Sequence, residues 1–393
     1  MHRVTDVERR QRLARRHALA PGHRAADPVA ATRAMTVLHA TEAPSVYLSL
    51  WARVDGLTVD DVDRALYDDR SLVKQLAMRR TLFVFPRDLL PAAWGSASAR
   101  VATALRTRFA KEIEQAGLTS DGAAWLVAAE EAALARLADG SELSAQRLRE
   151  EVPELGGRLD VGKGKYATTV SVAPRVLTQL GVEARIVRAS NAGHWRTARP
   201  QWTAMGTWLG GDVPEPAKER EGYAELVRRW LRTFGPGTEA DVVWWLGSTK
   251  TAVRAALADV GAVEVGLDGG ATGFVLPDDL EPEPDVEPWS ALLPVLDPTV
   301  MGWKERGFYL GEHGPMLFDT NGNSGTTAWW DGRIVGCWVQ DPDGVVVLHL
   351  LEDVGSEARA ALEDDATRLT TWLDGHRVST VYPSIAMKQA VST

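Results

Sequence analysis

A single cysteine, Cys337, occurs in 393 residues. An internal disulfide framework is excluded, and so is a zinc or iron–sulfur centre built on several thiolates. No apolar run approaches the roughly 20 residues that a membrane-spanning helix needs. The N-terminus carries arginines but no apolar signal core, which reads as a cytoplasmic protein without membrane contact. Tyr and Phe are few, at six and seven, whereas Trp reaches 15. Large rings bury much area and also stack on nucleobases, so this excess alone selects no function. The remainder is ordinary: 45% hydrophobic and 25% charged residues exclude global disorder. The length implies roughly two to four domains with cores of their own.

Charge is segregated along the chain. The net charge is −9, yet residues 1–24 hold seven Arg against Asp6 and Glu8. Residues 144–200 hold ten Lys/Arg and five acids, and residues 259–297 hold ten acids with no Lys or Arg. Local basic stretches matter more to a polyanionic partner than the total does; solvated helix faces are the competing reading.

The order of elements is informative. Residues 5–20 read as a basic helix capped by Thr5, and Pro28 opens a second helix to Leu38. A third spans Tyr47 to Val54, and Thr58-Val-Asp-Asp61 starts a fourth. Leu72–Phe85 is β-branched and aromatic around Met78-Arg-Arg-Thr81, which suits a hairpin. Helices followed by a basic hairpin is the winged-helix order. Helices at 144–152 and 168–180, then strands at 182–189 and 194–202, repeat it. Helices at 238–246 and 249–260, then strands around Gly269-Gly270, repeat it again. Residues 277–288 hold four prolines among acids and read as a stiff linker. Beyond it, 326–351 reads as a β-meander, followed by a helix at 356–373. The expected fold is α+β: three tandem winged-helix domains (1–118, 119–213, 214–280) and a β-rich, barrel-like C-terminal domain (281–393).

These stretches carry a resemblance. The segments are Ala34-Met-Thr-Val-Leu-His39-Ala-Thr41, Tyr47-Leu-Ser-Leu-Trp-Ala-Arg53, Met78-Arg-Arg-Thr-Leu82 and Phe234-Gly-Pro-Gly-Thr238 with Asp241 and Trp244-Trp245. Leu292-Leu-Pro-Val-Leu-Asp297 and Asp331-Gly-Arg-Ile-Val-Gly336-Cys-Trp338 complete the set. Together, in this order, they resemble the AlkZ/YcaQ-like bacterial DNA glycosylases, which are winged-helix DNA-binding proteins. The resemblance implies a C-shaped array around double-stranded DNA. It also implies hydrolytic excision of bulky or crosslinking N-alkylpurines, often as self-resistance to a genotoxic natural product. The family's Gln-x-Gln or Gln-x-Asp motif is replaced here by His39-Ala40-Thr41, and Phe83 stands where a His is expected.

Breaking a purine N-glycosidic bond builds positive charge on the sugar. An N7- or N3-alkylated purine is already cationic and leaves without a general acid. The protein must then position a water and stabilise the sugar cation. A neutral His39 imidazole suits the first task, the Thr41 hydroxyl can hold the same water, and Glu42 adds a carboxylate. A helix-end histidine bonded to a carbonyl, with Thr41 and Glu42 as turn residues, is the alternative.

Candidate DNA contacts are Lys74, Arg79 and Arg80 on the first hairpin, and Lys163 and Lys165 in a Gly-Lys-Gly-Lys loop. Arg185, Arg188, His194, Trp195 and Arg196 flank a second hairpin tip, where Trp195 would stack at a lesion. No cofactor or metal is expected. A monomer on alkylated or adducted duplex DNA is the leading expectation, because three wings in one chain argue against a dimeric regulator. A non-catalytic DNA-binding regulator and a lesion- or drug-binding resistance protein are the alternatives.

Overall fold

Local capping chemistry begins the helices of the computed structural model, which describes residues 2–161 and 168–392. Thr5 accepts from the Glu8 amide and opens the helix Asp6–Arg16. Asp27 caps Pro28–Ala34, while Thr58 with Asp61 and Thr238 with Asp241 form capping boxes at Val59–Asp63 and Glu239–Leu246. The second helix stops earlier than its sequence pattern predicts. Thr36 turns to φ 65°, its hydroxyl meets that of Thr233 at 2.9 Å, and Leu38–His39 becomes a strand. A second correction concerns 168–180: Thr168–Ser171 is a strand paired with Arg158–Val161, and the helix is Ala173–Val182. The β-branched Thr168, Thr169 and Val170 favour this pairing over a helical turn.

Three small sheets follow one another. The first orders Leu38–His39, Leu82–Pro86 and Leu72–Leu76, and the second Leu143–Ser144, Pro200–Ala204 and Ile186–Asn191. In the third, Val263–Leu267 pairs with Thr272–Val275 and, in parallel, with the N-terminal Arg3–Val4. The C-terminal sheet orders Ser290–Leu293, Thr327–Trp330, Arg333–Gln340 and Val346–Leu350 as neighbours in chain order. It is an open meander backed by the helix Gly355–Leu373. Among the described residues no sheet closes on itself, so the barrel-like expectation gives way to this open sheet. At Gly336 a Cβ would lie 2.3 Å from the His349 carbonyl oxygen of the adjacent strand. Gly336→Ala should cost about 1–3 kcal/mol, read as a lower urea midpoint; an unchanged midpoint would show that the strands part freely.

The segregated charges largely neutralise each other within the chain. Arg16 bonds both oxygens of Asp279, at 2.6 and 2.8 Å, and bonds Glu283 at 2.7 Å. Arg12 reaches Asp279 at 3.1 Å, and Gln11 donates to Asp285 at 2.7 Å. The acidic, proline-rich stretch thus lies against the basic first helix, and Arg12 is only 2% exposed.

A buried polar clamp joins distant segments. Arg53 and Asp297 are both fully buried and pair through two bonds, at 2.7 and 2.9 Å. Ser49 and the Thr299 amide also donate to Asp297, while Arg53 donates to the Thr299 hydroxyl. That hydroxyl in turn meets His17 Nδ1 at 2.8 Å. His17 Nε2 donates to the Thr233 carbonyl at 3.2 Å, which leaves Nδ1 as the acceptor.

Candidate active site

His39 is held by strand pairing: its backbone faces Phe83, and the two rings lie 4.6 Å apart. It is 5% exposed, and its Nδ1 is buried with no hydrogen-bond partner. Burial, reinforced by the nearby Arg79 guanidinium, holds the imidazole well below the usual histidine range. His39 is therefore neutral at pH 7. Two residues on, Thr41 is exposed. Glu42 turns elsewhere. Its carboxylate accepts from Thr380 Oγ1 at 2.9 Å and the Val381 amide at 2.7 Å, and burial raises its pKa. It lines a separate cleft of about 450 Å³ and makes no bond to His39.

Ala40, between His39 and Thr41, lines a cavity of about 30 Å³. Tyr47, Lys74, Arg188 and Trp195 also line it, so three stretches separate in sequence converge beside the loop. Lys74 donates to the Tyr67 hydroxyl at 2.7 Å, and Tyr47 donates to Asp63 at 2.5 Å. Burial and the nearby Arg188 push the Lys74 ammonium down to about 8. Lys74 thus points inward rather than toward solvent.

The remaining basic candidates divide by burial. Arg79 sits over the Trp244 ring at 4.0 Å, and burial lowers it to about 10, with Arg306 contributing. Arg80 is exposed, and Arg185 is exposed with its guanidinium 4.0 Å from Glu130. Arg188 is largely buried over Trp202. The hairpin tip is docked rather than free. Trp195 is 7% exposed, with the Tyr47 and Trp372 rings at 5.3 and 5.5 Å, which corrects its reading as a ring free to stack at a lesion. His194 lies 4.7 Å from His376, and Arg196 donates to the Arg377 carbonyl. Lys163 and Lys165 lie outside the described residues. Among the described residues no group of three or more His, Cys, Asp or Glu could hold a metal ion, and no helix is long and apolar enough to cross a membrane.

The family model for AlkZ-like DNA glycosylases matches residues 32–372. The chain belongs to the AlkZ-like DNA glycosylase family. Its fold is similar to that of Streptomyces sahachiroi DNA glycosylase AlkZ, with a TM-score of 0.73 at 19% identity, covering 96% of this chain and 98% of that one. A comparison with curated proteins finds no match.

In this AlkZ-like chain several signature segments supply structure rather than chemistry. Ser49, Arg53 and Asp297 form the buried clamp, and Asp241 accepts from the Lys304 and Glu305 amides at 2.9 and 2.8 Å. Sequence reasoning missed the clamp. Its signal was an arginine one turn beyond Ser49 on a helix whose residues 44–51 are all buried.

Two buried histidines link this site to stability. His17, like His39, is held well below the usual range by burial, with Arg53 adding to the effect. The unfolded chain binds both protons below about pH 6.5, while the folded chain does not. This contribution is therefore complete above about pH 7 and should be lost progressively as the pH falls below it. The limit is about 1.4 kcal/mol per pH unit for each histidine. Urea midpoints at pH 7.5 and 5.5 test this; His39→Gln should flatten the dependence, and a flat wild-type profile would contradict the neutral assignments.

Proposed function

We propose that this protein is a monofunctional DNA glycosylase that hydrolyses the N-glycosidic bond of N7- or N3-alkylated purines in duplex DNA, bulky natural-product adducts included. The observation that carries the reading is His39: a neutral imidazole with an unpartnered Nδ1, at the position of the family's glutamine motif. The cationic purine departs with the bonding electrons. His39 accepts a proton from the attacking water, Thr41 orients that water, and the water oxygen adds to the anomeric carbon. Glu42 anchors the loop to Thr380 and Val381 rather than acting on the sugar. In this reading the exposed Arg80 and Arg185 meet phosphates, and Lys74, Arg79 and Arg188 add positive potential beneath the surface. The three small sheets, each with its preceding helices, support the reading as three winged-helix units.

The test is release of free base from a duplex carrying one N7-alkylguanine, followed by chromatography and by alkaline cleavage at the abasic site. Free base with an intact strand before alkali is the expected result. DNA binding without base release from small or bulky adducts would instead favour the non-catalytic reading.

A further inference from the structure

Between the first hairpin turn, the helix Ala99–Gln115 and the helix Ala173–Val182 lies a cavity of about 470 Å³. Arg80, Arg108, Arg175 and Arg188 line it together with one acid, Glu112. Glu112 accepts from Arg108 at 2.7 Å and also pairs with Arg175. Among the described residues Arg80 makes no ion pair. Arg188 meets the Trp202 ring, and among the described residues it has neither an acid nor a hydrogen-bond partner. Burial alone acts on it, with no carboxylate to offset the cost. One carboxylate therefore faces four guanidiniums over a floor that includes Leu76, Leu105 and Phe109. Such an apolar floor lowers the local dielectric and strengthens attraction for an anion.

The chemistry matches a phosphate group, whose oxygens accept the paired donors of guanidinium forks. The position specifies its source. Arg188 also walls the small cavity that Ala40 lines, so an anion here is one side chain away from the candidate catalytic loop. A DNA strand presenting its sugar to that loop carries a phosphodiester on either side of that sugar. We propose that the arginine cavity binds a backbone phosphodiester next to the lesion, and that Glu112 occupies its place when DNA is absent. The proposal rests on the glycosylase reading and adds Arg108, Arg175 and Glu112 to its binding surface.

The test uses the full chain and an undamaged fluorescent duplex, with affinity measured by anisotropy across salt concentrations. Wild type should show a log–log salt slope of roughly −4 to −7, as for about five to eight neutralised phosphates. Glu112→Gln should bind several-fold more tightly, with a slope steeper by about 1, because a competing anion is removed. The Arg108→Gln/Arg175→Gln double variant should bind more weakly, with a slope shallower by about 1 to 2. Glu363→Gln and Arg359→Gln, exposed on the helix Gly355–Leu373, control for net charge and should leave the slope unchanged. If wild type binds steeply and the cavity variants match their controls, the cavity assignment is overturned while the glycosylase reading stands. Absence of wild-type binding at low salt would overturn both. Stabilisation by inorganic phosphate that vanishes in the double variant, with DNA slopes unchanged, would assign the cavity to a free anion and reject the proposal. Urea midpoints confirm that each variant is folded.

Discussion

His39→Ala should lower the single-turnover rate of purine release by about 10²–10⁴-fold while leaving duplex affinity within a few-fold. The rate loss follows from removing the group assigned to accept the proton of the attacking water. The small binding effect follows from its charge state: burial keeps the ring neutral, so it contributes no counter-ion for a phosphate. His39→Gln installs the residue that the resemblance to the family's glutamine motif implies for this position. Its amide offers both a donor and an acceptor, and it should recover part of the rate if the side chain positions water. Thr41→Ala should cost less, since Thr41 is exposed and supplies a single hydroxyl. Unchanged excision by His39→Ala would remove His39 from the mechanism without touching the family assignment. Loss of excision accompanied by loss of folding is excluded by comparing urea midpoints, because His39 also packs on Phe83.

Arg53→Ala should destabilise the protein by about 3–5 kcal/mol, the range expected when one partner of a buried ion pair is deleted. Asp297 would remain fully buried and charged. Its bonds to Ser49 and the Thr299 amide would be too few to offset the loss of a bidentate guanidinium. The Thr299 hydroxyl would also lose a donor, disturbing the bond it shares with His17. Arg53→Lys should recover only part of the loss, because an ammonium cannot present two parallel donors to one carboxylate. An apolar double replacement, Arg53→Met/Asp297→Leu, should recover more, because neither charge is then left in the interior. Denaturant midpoints rank the four proteins. An Arg53→Ala midpoint close to wild type would mean that water reaches Asp297.

The clamp also bears on how the candidate site is held. Ser49 and Arg53 lie on the helix Ala43–Trp51 and just past its end, directly after the loop carrying His39 and Thr41. Asp297 and Thr299 come from the start of the C-terminal region. The loop is therefore fixed from one side by the Leu38–His39 pairing with Phe83 and Val84, and from the other by a charge pair reaching across the chain. Glu42 adds a third tie, to Thr380 and Val381. Positioning by several rigid elements is what water-dependent chemistry requires, since small misplacements of the reacting groups are costly.

Local chemistry was legible in the amino-acid order. The caps at Thr5, Thr58 and Thr238, the hairpin around Met78-Arg79-Arg80 and the meander from Thr327 to Leu350 all depend on neighbours within a few residues. The family signature was legible too, because it keeps its order over nearly the whole chain. What those residues do was decided by tertiary structure. Trp195 and Lys74 look like surface ligands in sequence, but their rings and stems are claimed by Tyr47, Trp372 and Tyr67. The basic first helix looks like a polyanion site, yet an acidic stretch hundreds of residues away neutralises much of it. Arg108 and Arg175 carry no motif at all and line one cavity only because two helices meet there. The physical reason is range. Capping and turn geometry depend on adjacent backbone, whereas desolvation and charge pairing depend on whatever the folded chain brings within a few ångströms.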